Sequence, residues 1–169
     1  MGGEGMVGLS LLFGVERSNT TVICQVLGRA TRMRADAFKR EILGKQGRLY
    51  KMLQKYSNAF MGMVAQSAAC NSMHPLEERC CRWILMTHDR VDRDEIPLTH
   101  DFLASMLGAR RPTVSLTLGV LKRAGLIDYT RGSITIRNRV GLEATACECY
   151  GIVTRQMRTL FDEDEPNKR

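Results

Sequence analysis

The sequence predicts an α+β protein. A winged helix-turn-helix fills the C-terminal half, a long dimerisation helix precedes it, and part of a β domain opens the chain. Three observations predict this. Apolar residues recur at helical spacing around Leu103 and Leu107, break at Gly108, resume through Val114, Leu118 and Leu121, and stop at Gly125. Leu126–Tyr129 and Ser133–Arg137 then alternate as two strands around Thr130-Arg131-Gly132, which makes a wing. Upstream, Leu49, Leu53, Tyr56, Phe60, Met63, Ser67 and Cys70 alternate four and three apart, a narrow seam of coiled-coil type.

The expected organisation is therefore a partial β domain over 1–46, a dimerisation helix over 47–70, the winged helix-turn-helix over 71–140, and a C-terminal helix and polar tail over 141–169. Within the first segment, Met6–Val15 reads as strand and turn, with no basic region before it to make a signal peptide. Thr20–Gly28 is rich in β-branched residues and reads as a strand, and Arg34–Leu43 reads as a short helix. Such a fragment could not bury a sheet by itself, so a β domain lacking its front is expected.

No acid lies between Gly47 and Ser72, while Arg48, Lys51 and Lys55 do. A second copy of the helix along Leu49, Leu53, Tyr56, Phe60 and Met63 would complete the seam. Packing against the chain's own N-terminal domain is the competing reading. Pro75, Glu77 and Glu78 suit the start of the next helix, with Leu76, Cys80, Trp83, Ile84 and Thr87 on one face. Arg90–Pro97 is polar and reads as a loop. Thr99 is placed to cap a helix whose inner face is Phe102, Leu103, Met106 and Leu107. Gly141–Phe161 reads as one last helix and Asp162–Arg169 as a mobile tail.

The 169 residues suit one domain or two small ones, and 44% hydrophobic residues support a folded core. No apolar run reaches the length of a membrane span. The net charge of +7 is unevenly placed. Residues 108–140 carry seven Lys or Arg and one acid, whereas residues 73–107 carry four basic and seven acidic side chains. A polyanion is the natural partner of such a basic block, and a solvated surface is the competing reading, which charge alone favours.

Double-stranded DNA fits that block best. A second helix of this motif enters the major groove by its N-terminal end. Arg110 and Arg111 sit there, suited to guanine or to phosphate. Pro112 removes an amide donor from the first turn, and Thr113, Ser115 and Thr117 are small polar residues for phosphates or a base edge. Lys122, Arg123 and Arg131 are expected to reach flanking phosphates.

The stretch from Leu98 to Ile136 resembles the winged-helix domain of the Crp/Fnr family of bacterial transcription regulators. The matching positions are Thr99, Leu103, Ala104, Leu107, Gly108, Arg111, Thr113, Val114, Leu121, Gly125, Leu126 and Ile127. The best-known members have a glutamate and a second arginine where this chain has Pro112 and Leu116, so the resemblance implies a different operator. It further implies a homodimer on a roughly palindromic site, RNA polymerase as a possible partner, and a cytoplasmic location. Residues 1–46 are similar to the second half of the family's cyclic-nucleotide-binding-like β-roll. Glu4, Arg17 and Ser18 match its ribose- and phosphate-contacting types. Glu4 and Arg17 are 13 apart, a few residues wider than in cyclic-AMP binders. The expectation is an empty structural roll.

Two alternatives keep DNA in view: a ligand or redox sensor with DNA binding as output, and a truncated partner that modulates full-length relatives. No G-x-S-x-G, Walker loop or H-E-x-x-H occurs, and no enzyme is expected. The six cysteines are expected to be reduced. Cys147-x-Cys149 and Cys80-Cys81 are weighed as metal or redox pairs and read as small buried thiols, because a C-x-C on one helix points its sulfurs to different faces. His74, His88 and His100 read as surface or cap residues. No cofactor or metal is expected.

Overall fold

The computed structural model describes every residue except 1, 3, 4, 19, 92 and 163–169, and not the side chains of Phe161 and Asp162. Glu4 and nearly all of the expected tail lie outside the described residues. The chain divides into two compact units, residues 1–63 with 155–169, and residues 64–154.

The first unit opens with a 3-10 turn, Leu9–Phe13, between Gly8 and Gly14. Helix α1, Ala35–Phe38, runs directly into a π-helical turn, Lys39–Leu43, as the expected short helix. Phe38 is buried, as are Leu53, Tyr56 and Ala59 of α2, Arg48–Met73. The strand expectations fail here. Among the described residues no strand precedes Glu95, so the partial roll carries no ladder. Thr20–Gly28 is irregular, with Leu27 96% exposed. The β-branched composition is real, but a strand holds only against a neighbour, and among the described residues no segment pairs with this one.

Helix α2 is as long as its seam predicts. The seam residues do not all behave alike. Leu53 and Tyr56 are buried within the single chain, Phe60 is half-buried with its ring 6.1 Å from that of Tyr56, and Leu49 is exposed. Packing inside the chain therefore uses part of the face.

The second unit contains α3 (Leu76–His88), β1 (Glu95–Pro97), α4 (His100–Leu107), α5 (Arg111–Arg123), β2 (Ile127–Thr130), β3 (Ser133–Ile136) and α6 (Arg139–Thr145), and the first turns of α7 (Cys149–Asp162). One core joins Cys80, Cys81, Ile84 and Leu85 of α3, Leu103 and Leu107 of α4, Val114, Leu118 and Leu121 of α5, Ile134 and Leu142. Burial pushes the Cys80 and Cys81 thiols up to about 12, so both are inert packing groups. Met106, expected on the inner face of α4, is exposed, and Ala104 is buried instead. The face runs through 103, 104 and 107.

Two further expectations are corrected. Arg90–Pro97 is not all loop, since β1 pairs antiparallel with β3 and completes a sheet of order β1-β3-β2. Ile96 opposite Ile134 is fully buried, while Pro97 is tolerated because β1 is an edge. The last helix is two helices. It breaks at Ala146, whose backbone is extended, after Leu142 has entered the core. The break lets Cys147 and Cys149 both bury against Cys70 of α2.

Candidate nucleic-acid interface

Helices α4 and α5 are held at a defined angle by their termini. The Thr99 hydroxyl caps α4 by accepting from the Phe102 N–H at 3.1 Å. Gly108, at φ 60°, ends it, with Ala109 N–H donating to the Ala104 carbonyl. Arg79 of α3 donates to the Leu107 carbonyl at 3.1 Å, satisfying another helix-end acceptor. Helix α5 ends the same way: Gly125, at φ 71°, is followed by Leu126, whose N–H donates to the Leu121 carbonyl at 3.0 Å. Both turns need a left-handed residue, which glycine supplies at least cost.

With Val114, Leu118 and Leu121 fully buried, helical geometry turns the remaining side chains of α5 outward. Arg110, Arg111, Pro112 and Thr113 are exposed at its start, and Ser115 and Thr117 are half-exposed one turn on. Leu116 is 73% exposed, an apolar side chain in the middle of this polar face.

The structure gives several of these residues partners that sequence spacing does not reveal. Arg111 Nε lies 3.0 Å from Asp101 Oδ1, with both side chains largely exposed. Ser115 Oγ is 2.9 Å from Nδ1 of His100, so His100 is a support under α5 rather than a plain surface residue. Its ring meets Tyr129 edge-on at 5.0 Å. Burial, then the nearby Arg111 charge, lowers the His100 pKa, and Asp101 opposes them. Thr117 donates its hydroxyl to the Thr113 carbonyl at 3.0 Å, which leaves its oxygen as an acceptor.

At the far end, Lys122 contacts Asp128 Oδ1 at 2.5 Å and sits 4.9 Å from the Tyr129 ring centre. Asp128 also faces Arg137 at 3.7 Å. The Lys122 hydrogen bond is the main cause of its lowered pKa. Lys122 thus fastens α5 to β2 as well as adding charge. Arg110, Arg123 and Arg131 have no ion pair among the described residues, and Arg131 stands at the wing tip beside Gly132, φ 92°. Arg139 has a structural role instead. It bonds Asp89 at 2.7 Å, Glu143 at 2.8 Å and the Tyr150 hydroxyl at 2.8 Å, and so ties α3, α6 and α7 together.

A second constellation lies in the same unit. Cys70, His74, Cys147 and Cys149 converge, with their ligand atoms all within 4.8 Å of one another. Burial raises the Cys70 thiol pKa, while the Cys147 hydrogen bond and the charge of Arg82 pull it down. His74 reads from the sequence as a surface or cap residue, with its spacing from Cys70 passed over. In the fold, Cys149 Sγ is 3.6 Å from His74 Nδ1, and Glu148 Oε1 is 3.3 Å from its Nε2. The one local signal is Cys70-x-x-x-His74, one helical turn, alongside a distant C-x-C.

In the first unit, Arg17 is exposed, and the Ser18 hydroxyl is engaged with Thr20, its Oγ1 at 2.9 Å. No helix of the described residues is long and apolar enough to cross a membrane.

Residues 78–145 match the Crp-like helix-turn-helix domain. Solved structures resemble the chain. A CRP-family transcriptional regulator from Thermus thermophilus is 26% identical, with 51% of this chain and 47% of that one covered and a TM-score of 0.47. A CRP/FNR-family regulator from the same organism is 24% identical over 51% and 47% of the two chains, with a TM-score of 0.48. A Crp/Fnr-family protein from Eubacterium rectale is 23% identical over 66% and 51%, also at 0.48. The chain spans about half the length of these structures. No curated protein matches it.

Proposed function

We propose that this chain is a sequence-specific DNA-binding transcription regulator that places α5 in the major groove. The observation that carries the reading is the division of α5 within a Crp-like helix-turn-helix domain: three apolar residues are fully buried, and an arginine-led polar face is left outside. Arg111 reads a guanine bidentately, and Arg110 holds a phosphate at the helix start. Thr113, Ser115 and Thr117 supply acceptors and donors beyond it. Pro112 and Leu116 present apolar surface, suited to a thymine methyl. Arg123 and Arg131 contact flanking phosphates, with Lys122 adding charge beside them.

The protein acts as a homodimer on a roughly palindromic operator, with half-sites about one helical turn apart. RNA polymerase is its potential downstream partner. Selection from a random duplex library tests the reading. The expected result is an enriched inverted repeat bound by two chains. Enrichment of no sequence at all would overturn specific recognition, and one chain on a single half-site would overturn the dimer.

A further inference from the structure

From the side chains around Cys70 we infer that the chain binds one zinc ion through Cys70, His74, Cys147 and Cys149. The four donors come from two places. Cys70 and His74 are one helical turn apart at the end of α2, with the His74 N–H donating to the Cys70 carbonyl at 3.1 Å. Cys147 and Cys149 flank the break between α6 and α7, where the chain leaves helical geometry and both sulfurs reach the same point. Three thiols and one imidazole form a common donor set of structural zinc sites.

The spacing suits one ion. Zinc–sulfur bonds of about 2.3 Å in a tetrahedron put ligand atoms about 3.8 Å apart. Here Cys70 Sγ and Cys147 Sγ are 3.5 Å apart, and Cys149 Sγ is 3.6 Å from His74 Nδ1. A maximum of 4.8 Å leaves no space for a cluster with bridging sulfides. The three sulfurs are shielded from solvent, with exposures of 0%, 5% and 1% for Cys70, Cys147 and Cys149.

The surroundings are those of a metal site. Glu148 faces His74 Nε2 and so directs Nδ1 toward the sulfurs, the carboxylate–histidine arrangement that orients metal ligands. Gln66 Nε2 donates to Cys149 Sγ at 3.0 Å. Arg82 is 2% exposed, donates to Ser67 Oγ at 3.3 Å, and leaves Nε without a partner. No carboxylate pairs with Arg82 among the described residues. A buried cation needs a counter-charge. Zinc with three thiolates and a neutral imidazole carries one negative charge, which Arg82 offsets. On binding, the three thiols release three protons to solvent, and no electron is transferred. The ion would join the end of α2 to the α6–α7 junction, inside the unit that carries α5.

The test uses the whole chain, prepared with a non-thiol reductant and no chelator. Elemental analysis is expected to find about one zinc per chain. Replacement by cobalt is expected to give the intense visible bands of a tetrahedral ion together with thiolate charge-transfer bands. Cys147→Ser and His74→Ala should lose that spectrum, and Cys24→Ser, at an exposed cysteine, should keep it. His74→Cys should restore a tetrahedral spectrum shifted by the fourth thiolate, which separates ligation from misfolding. Glu148→Gln should weaken zinc affinity about tenfold. A reduced, helical chain with only traces of zinc and a weak octahedral cobalt spectrum would overturn the site. So would a tetrahedral spectrum unchanged in Cys147→Ser and His74→Ala, or a metal-free resting chain with Cys70 and Cys147 joined as a disulfide.

Discussion

Arg111 and Arg123 carry the same charge at opposite ends of α5, and the proposed function gives them different tasks on DNA. Arg111 is held at the helix start by an exposed pair with Asp101. Such pairs are worth about 0–1 kcal/mol, so giving up Asp101 for a guanine costs little. Arg111→Ala is expected to lose about 1–3 kcal/mol on the operator and to relax preference at one position per half-site. Arg123→Ala should weaken binding to every duplex alike and reduce the salt slope by roughly one unit for each phosphate no longer neutralised. Affinities for operator and random duplex across a salt series check both. Equal losses on both duplexes for both variants would leave specificity to Thr113, Ser115, Thr117 or DNA shape.

At the scale of elements, the angle between α4 and α5 rests on the residue that stops α4. Gly108 sits at φ 60°, with no atom near the position a Cβ would take. Substitution there meets no clash, so only the backbone conformation is penalised. Gly108→Ala should therefore cost about 1–2 kcal/mol of stability, the ordinary penalty for a left-handed residue with a Cβ. Urea unfolding of the variant measures it. A neutral result would show that the turn relaxes to another conformation.

Helix α2 raises a different question, because Leu53 and Tyr56 are already buried in the single chain. What remains open to a second copy is Leu49, with Phe60 and Met63 half-covered. Phe60→Glu is expected to yield a monomer in analytical ultracentrifugation, with helical content retained. An unchanged dimer would move the interface off this seam.

For the whole molecule, the two units differ in how they are held. Residues 64–154 share a closed apolar core under the helix-turn-helix and wing, whereas the stretch from Thr20 to Arg34 has no regular structure. Among the described residues no strand ladder supports Arg17 and Ser18. Cyclic AMP is expected not to bind tightly, and calorimetry giving micromolar affinity would refute this.

The helix-turn-helix is legible in the sequence because each of its signals is local. The Thr99 cap, the left-handed Gly108 and Gly125, the buried Val114, Leu118 and Leu121, and the β2–β3 hairpin each depend on residues a few positions apart. The polar face of α5 is legible for the same reason. Strand β1 is not, because a polar three-residue edge becomes a strand only when β3 lies beside it. Nor is the lack of strands among the described residues of 1–46, since β-branched residues state a preference that only a neighbour can satisfy. The partners of Arg111, Ser115 and Lys122 depend on how α4 and the wing pack against α5. The cysteine and histidine cluster depends on Cys70 meeting Cys147, 77 residues away. Sequence by itself determined what each segment prefers. Tertiary structure decided which preferences met a partner, because burial, strand pairing and ligand geometry are properties of residues brought together from distant parts of the chain.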